Sequence, residues 1–333
     1  AGVLFGLGTI GAGWAQSTGN VYLFYLTYGI IAGLGNGLGY ITPVAVLVRW
    51  FPDKRGFITG LAVMGFGGGA SIMSKIAPET IKPESLGMAG TFYVFGAAFL
   101  VVLLLAAQRM VNPPEGWTPP TPVKGAAKPA APTAPPVDLK GALKMYQFYI
   151  LWAILFLNIT AGIAIVANLS PMAQEQLWKG LPDAAAMGGT IVFVASLFNG
   201  LGRIFWSSLS DKLGRKLTFA IILGTQIPLF ILLPNITNTA LFYLVACYIL
   251  LCYGGGFSTM PAFAADTFSP KNMGQIYGKI LLAWSAAAVV GPMLMAAIKE
   301  STGSYNWALY VAAGLLTLGF IANLIYKKPS AAN

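Results

Sequence analysis

Apolar runs of about twenty residues recur along the whole chain, and this pattern restricts its possible folds more than any other feature. A helix needs about twenty apolar residues to cross the roughly 30 Å hydrocarbon core of a bilayer. Ten such runs lie at 1–16, 22–48, 56–76, 87–108, 146–168, 185–209, 217–233, 240–266, 275–298 and 306–326. Only 9% of the residues are charged, whereas soluble domains carry about a quarter. The sequence therefore predicts an all-α, multi-pass protein of the lipid bilayer.

The net charge of +10 follows the predicted topology and does not indicate a nucleic-acid partner. If the loop after residue 209 is cytoplasmic and the helices alternate, fourteen Lys and Arg residues lie inside and four lie outside. This is the positive-inside bias, which sets the orientation of the helices in the membrane. The chain has no His, and its two Cys share one apolar run. We therefore expect no metal, no cofactor and no enzyme active site.

A proline-rich stretch divides the helices into two groups. Residues 111–137 hold nine of the 21 prolines, which is typical of an extended linker. We predict a first half at 1–110, a cytoplasmic linker at 111–140 and a second half at 141–333. The motif LFYL recurs at an offset of 218 residues, and Pro43 then aligns with Pro261. Parallel repeats are typical of transporters with two six-helix halves. The chain is thus expected to hold helices 3–12 of twelve and to lack the first two.

A permanent positive charge, Arg203, lies in the sixth apolar run, roughly 12 Å along the helix axis from Asp211. A charge at this depth is costly unless it faces protein or a water-filled cavity. Asn199 precedes Arg203 by four residues and shares its helical face. Because the planar fork of an Arg matches a carboxylate, we predict an anion site at these two residues. An Arg that snorkels to the interface is the alternative.

Three aromatic residues are predicted to shape the rest of this site. Tyr253 lies near the middle of its run, where a hydroxyl needs a partner, and Phe257 follows one turn later. Tyr40 lies at comparable depth in the matching first-half helix. Hydroxyls and phenyl faces opposite an Arg suit a small acid with an apolar tail. Core packing is the alternative for each of the three.

Charged residues at the predicted cytoplasmic helix ends form a candidate conformational switch. The segment SDKLGRK places Asp211 and Arg215 on either side of Gly214, where we expect a tight turn. Asp266 and Arg49 close corresponding helices of the repeat, and we predict that both belong to ion pairs of a cytoplasmic gate. Solvated helix ends without a special role are the alternative.

The stretches RWFPDKRG, NPPEGW and GRIFWSSLSDKLGRK resemble the oxalate/formate antiporter and monocarboxylate transporter branch of the major facilitator superfamily. The resemblance covers almost the whole chain and implies that fold, with two pseudo-symmetric halves. It also implies that Arg203 binds the substrate carboxylate. Trp284 stands where oxalate/formate antiporters carry a Lys for a second carboxylate, which favours a monocarboxylate.

The implied function is transport of a small monocarboxylate, L-lactate or pyruvate, together with a proton, across a bacterial inner (plasma) membrane, by alternating access in a monomer. Asn199 stands where animal monocarboxylate transporters carry an Asp that takes part in proton coupling. Because Asn does not titrate, the coupling mechanism is left open. Two alternatives remain: an anion exchanger of the oxalate/formate type, and a carboxylate receptor that does not transport.

Overall fold

The protein is built from helices, and a computed structural model describes its residues 1–114, 137–268 and 270–329, apart from the side chains of Ser74 and Lys75. Most of the predicted linker, residues 115–136, lies outside the described residues. The helices are α1 (Gly2–Thr18), α2 (Val21–Phe24), α3 (Gly33–Trp50), α4 (Arg55–Thr80), α5 (Gly87–Ala107), α6 (Leu139–Lys144), α7 (Tyr146–Leu177), α8 (Ala184–Leu213), α9 (Arg215–Leu232), α10 (Thr239–Phe268), α11 (Met273–Ile280), α12 (Leu282–Thr302) and α13 (Asn306–Ile325).

Helices occupy all ten predicted apolar runs. Within the described residues, nine helical segments are long and apolar enough to cross a membrane. One of them, Val21–Trp50, joins α2 to α3 through the π-helical turns Tyr25–Ala32. Helix α1 covers the first run with 17 residues. The predicted all-α membrane fold is therefore confirmed.

The chain divides into two compact units. The first contains Ala1–Trp50 and the chain from Ile72 up to the linker. The second contains Phe51–Ser71, which is the connection after α3 and the larger part of α4, together with the chain after the linker. The predicted halves place all of α4 in the first half, whereas its beginning packs with the second unit. The division at the linker stays a prediction.

Helix α10 lies at the centre of the second unit and packs most closely on α8. Glycines permit this approach, because a methyl group at Gly202 of α8 would lie 2.1 Å from the carbonyl oxygen of Leu251. A methyl group at Gly254 of α10 would likewise lie 2.1 Å from the carbonyl oxygen of Asn199. Small residues at such contacts bring helix backbones together in lipid. The result is a helix pair whose relative position is set by backbone contact.

The turn between α8 and α9 consists of one residue, Gly214. Its φ of 86° and ψ of 151° fall in a region open almost only to glycine. The turn expected from the sequence is therefore present, and it brings the end of α8 next to the start of α9. Both Cys247 and Cys252 are free and buried.

Candidate functional site

Arg203 and Asn199 are joined inside the second unit. Arg203 Nε donates to Asn199 Oδ1 at 3.2 Å, across one turn of α8. Both residues are buried, with 4% and 9% of their surface exposed. The bond fixes the edge of the guanidinium that carries Nε. The bond turns this edge of the Arg203 side chain back along α8, towards Asn199.

Two phenyl rings lie over the guanidinium of Arg203. Its Cζ is 5.0 Å from the centroid of Phe257 on α10 and 5.6 Å from the centroid of Phe66 on α4. Both distances are within the range of cation–π attraction. Phe257 is buried, whereas 46% of Phe66 is exposed. Phe66 is thus the more accessible of the two rings that lie over the charge.

The sequence did not single out Phe66, because only packing brings α4 to Arg203. A methyl group at Gly60 of α4 would lie 2.3 Å from the carbonyl oxygen of Arg203. A methyl group at Gly67 would lie 2.4 Å from the amide nitrogen of Gly200. These glycines flank Phe66 in the sequence. The glycine-rich run could have indicated a close helix contact, but not its partner.

Tyr253 and Trp284 extend the aromatic surface beside Phe257. The rings of Phe257 and Trp284 lie 6.3 Å apart. Tyr253 is buried one turn before Phe257 on α10, and its place in the site stays a prediction. Asn199 and Phe257, two of the predicted site residues, therefore contact Arg203, and Trp284 lies beside Phe257.

Tyr40 belongs to the first unit. It lies on α3 and is buried. Its membership of the site stays a prediction.

Four charged residues form a cluster at the adjoining ends of α4, α8, α9 and α10. Arg215 Nη2 lies 2.7 Å from Asp211 Oδ1, and Arg215 Nε lies 2.9 Å from Asp266 Oδ2. Arg55 Nη1 lies 3.0 Å from the other oxygen of Asp266. Each of these side chains is at most 21% exposed. Asp266 thus holds two arginines, one from α4 and one from α9.

Asp211 also binds the first turn of α4. Its two carboxylate oxygens accept the backbone N–H groups of Gly56 and Phe57 at 3.0 Å and 2.9 Å. An anion is favoured at this position, because the first N–H groups of a helix have no partner within the helix and carry the positive end of its dipole. Gly56 is required here, since a methyl group would lie 2.1 Å from the carbonyl oxygen of Ser207.

Arg49, the fourth predicted gate residue, lies in the first unit. Its Nη1 donates to Asn112 Oδ1 at 3.0 Å. Its place in the gate stays a prediction. Arg55 was not predicted; its position at the start of α4, in the motif RWFPDKRG, is the signal that could have found it.

Buried hydroxyls connect the two groups of residues along α8. Ser258 Oγ donates to the carbonyl oxygen of Arg203 at 2.9 Å and lies 2.7 Å from Ser207 Oγ. Ser210 Oγ donates to the carbonyl oxygen of Ser207 at 2.7 Å, and Arg215 donates to Ser210 Oγ. Hydrogen bonds of Ser258, Ser207 and Ser210 therefore link the backbone of Arg203 to the ion-pair cluster, passing from the hydroxyl to the carbonyl oxygen within Ser207.

These features define a class of protein: a multi-pass helical membrane transporter with a buried cation in aromatic surroundings. The sequence profile of the Major Facilitator Superfamily matches residues 1–261 and also 183–333, and the chain belongs to that superfamily.

Known proteins place the chain within the superfamily. It is 28% identical to the oxalate:formate antiporter of Oxalobacter formigenes over 315 residues, which cover 93% of this chain and 71% of that protein. It is 25% identical to the apicoplast pyruvate carrier 1 of Toxoplasma gondii over 338 residues, covering 85% of this chain and 60% of the carrier. The crystal structure of the human organic anion transporter MFSD10 superposes with a TM-score of 0.73 at 17% identity, covering 97% of this chain and 76% of that one, which shows a shared fold. The predicted resemblance to the oxalate/formate and monocarboxylate branch is confirmed.

Proposed function

We propose that the protein is a secondary transporter that moves a small monocarboxylate, such as L-lactate or pyruvate, across a bacterial inner membrane as a monomer. The observation that carries this proposal is the buried guanidinium of Arg203, fixed by Asn199 and covered by Phe66 and Phe257. The planar fork of an Arg guanidinium matches a carboxylate in bidentate fashion. The aromatic rings provide surface for a short apolar tail.

A single carboxylate fits this arrangement better than a dicarboxylate. Arg203 is the one cation among the side chains named around the site, and Trp284 supplies apolar surface beside Phe257. A second substrate carboxylate near Trp284 would lose its hydration without gaining a cation in return, which is costly. Selection of monocarboxylates therefore rests on Trp284 as well as on Arg203.

Alternating access requires a contact that forms and breaks, and the ion-pair cluster suits this role. Asp211 binds the start of α4, and Asp266 binds Arg55 of the same helix. We infer that these bonds hold one conformation and are released in another. The hydroxyl series along α8 joins this cluster to the backbone of Arg203, so movement of α8 affects both.

Coupling to a proton is the finer part of the proposal. One monocarboxylate moved with one proton is electroneutral, so the membrane potential does not oppose uptake. Asn199 cannot carry that proton, and the chain has no His. The proton therefore travels on the substrate carboxylate or on a group outside this site.

The test is uptake of radiolabelled L-lactate by proteoliposomes under an inward proton gradient. We expect Arg203→Ala to abolish uptake and Arg203→Lys, which keeps the charge and loses the fork, to retain a small part of it. Lys279→Gln is a matched control, because it removes a cation from another membrane-spanning segment. Undiminished uptake by Arg203→Ala would contradict the proposal.

Exchange of carboxylates is the second candidate, favoured by the similarity to the oxalate:formate antiporter across 93% of this chain. An exchanger needs anion inside the vesicle and ignores an imposed pH gradient. Uptake into vesicles preloaded with formate, compared with empty vesicles under a pH gradient, separates the two candidates. Trp284→Lys should increase oxalate uptake if the apolar surface at this position excludes dicarboxylates.

A further inference from the structure

Four lysines that take no part in the ion-pair cluster gather at one end of the second unit. Lys140 and Lys144 lie on α6, and Lys327 and Lys328 follow α13. All four are exposed. We call these four residues the basic face. The proposed transport of a carboxylate gives it no role.

Hydrogen bonds between distant parts of the chain bring the two lysine pairs together. Tyr146, two residues after Lys144, accepts the backbone N–H of Lys327 on its hydroxyl at 3.3 Å. Gln147 Nε2 donates to the carbonyl oxygen of Lys327 at 3.3 Å. Lys216 Nζ donates to the carbonyl oxygen of Tyr326 at 2.7 Å and so fixes the chain just before Lys327. The end of α13 is thus held against the start of α7.

Within α6, the two lysines lie on one face because they are four residues apart. The whole helix has six residues and is about 9 Å long, close to the distance of about 8 Å over which salt screens charges at physiological ionic strength. The lysines of the basic face therefore repel one another, and an anion that lies among them relieves the repulsion.

The carboxylates of the neighbouring helix ends are already engaged. Asp211 and Asp266 belong to the ion-pair cluster with Arg215. Asp138, just before α6, accepts the backbone N–H of Gly141 at 2.8 Å and is the N-cap of that helix. Its single charge leaves an excess of three on the basic face.

An apolar and aromatic border adjoins these charges. Leu143, Tyr146 and Tyr149 are exposed by 38%, 46% and 58%. The Tyr149 hydroxyl donates to the carbonyl oxygen of Leu143 at 3.0 Å, which places its ring beside α6. Tyrosines of this kind lie at the level of lipid headgroups. A soluble anion gains nothing from such a border, whereas the glycerol and acyl parts of a lipid do.

We propose that the basic face binds the headgroup phosphate of an anionic phospholipid, with the glycerol and the upper acyl chain against Tyr146 and Tyr149. A Lys near an anionic membrane surface contributes roughly a fivefold gain in affinity. Loss of two lysines should therefore weaken the binding of such a lipid by roughly 25-fold. The site does not depend on which substrate the protein transports.

The experiment is native mass spectrometry of the purified chain in detergent, titrated with phosphatidylglycerol or with phosphatidylethanolamine. The double variants Lys140→Gln/Lys144→Gln and Lys327→Gln/Lys328→Gln are compared with Lys82→Gln/Lys179→Gln, a matched control that removes two exposed lysines elsewhere. We expect both test variants to lose phosphatidylglycerol binding, while the control and the weak binding of phosphatidylethanolamine stay unchanged.

Three outcomes would overturn the proposal. The first is equal phosphatidylglycerol binding by wild type and both test variants, and the second is an equal loss of binding in the control. The third is full displacement of the lipid by soluble glycerol phosphate at equal concentration, which would indicate a site for a free anion. Because the substituted lysines are exposed, we expect every variant to fold. Melting temperatures measured in phosphatidylethanolamine alone check this. If a test variant fails to fold, the other double variant and the single variant Lys144→Gln decide the question.

Discussion

Placing a second carboxylate beside Arg203 is the change that tests the proposed anion site most directly. Asn199→Asp is nearly isosteric: one carboxylate oxygen keeps the position of Oδ1, 3.2 Å from Arg203 Nε, and the other replaces Nδ2. A substrate carboxylate on the opposite edge of the guanidinium would lie about 6 Å from the introduced carboxylate. At an effective dielectric constant of about 20, two like charges at about 6 Å repel by about 3 kcal/mol, which corresponds to roughly 100-fold weaker binding.

The sign of the pH dependence follows from the charge. At neutral pH the introduced carboxylate is ionised and pairs with Arg203, so substrate binding is weak. As the pH falls and this carboxyl takes up a proton, the repulsion disappears and affinity recovers. The variant should therefore bind better in acid by a larger factor than wild type does. Asn199→Ala is the control, because it removes the hydrogen bond without adding a titrating group.

The assay measures equilibrium binding of L-lactate to purified protein. Binding isotherms are recorded at a series of pH values for wild type and both variants. The Ala variant loses one hydrogen bond to a charged group, worth about 1.5–3 kcal/mol, of which the substrate affinity feels only a part. Asn199→Asp with wild-type affinity throughout the pH series would refute the reasoning, because no anion could then lie at the guanidinium.

Two further predictions concern Phe66, which the sequence did not single out, and Asp266, whose partners were found in the structure. Phe66→Ala should uncover the guanidinium of Arg203 and remove a cation–π contact worth about 0.5–2 kcal/mol. We expect a changed KM for lactate uptake, with the KM of Phe66→Leu intermediate. An unchanged KM would show that the ring does not cover the site. Asp266→Asn should release Arg55 and Arg215 from their shared carboxylate, at a cost of about 1.5–3 kcal/mol per disrupted charged hydrogen bond. We expect slower uptake with nearly unchanged lactate binding, and a loss of binding equal to the loss of rate would contradict a role confined to the gate.

Parts of the site were predictable because they are local. Asn199 and Arg203 are one turn apart in a single helix, so the helix geometry alone brings their side chains together. The same holds for Tyr253 and Phe257, and for Asp211 next to the Gly214 turn. In each case the spacing along the chain, together with the membrane depth inferred from hydropathy, was sufficient to predict that the residues lie close together.

Contacts between helices were not predictable in this way. Arg55 and Asp266 are separated by 211 residues, and the hydrogen bond between them exists only because α4 packs against the ends of α8 and α10. Phe66 reaches Arg203 for the same reason. No local spacing encodes either pair, since the partner of a helix depends on which glycine surfaces fit together.

The sequence by itself determined that the chain crosses a membrane many times and carries a deep Arg with an Asn one turn away. Both conclusions depend on hydropathy and on the helical repeat, which act within one segment. Only the tertiary structure decided that phenyl rings from two other helices cover this Arg, and that Asp266 serves two arginines. These contacts arise where glycines let helix backbones touch, because dispersion forces and hydrogen bonds then act between residues that are far apart in the chain.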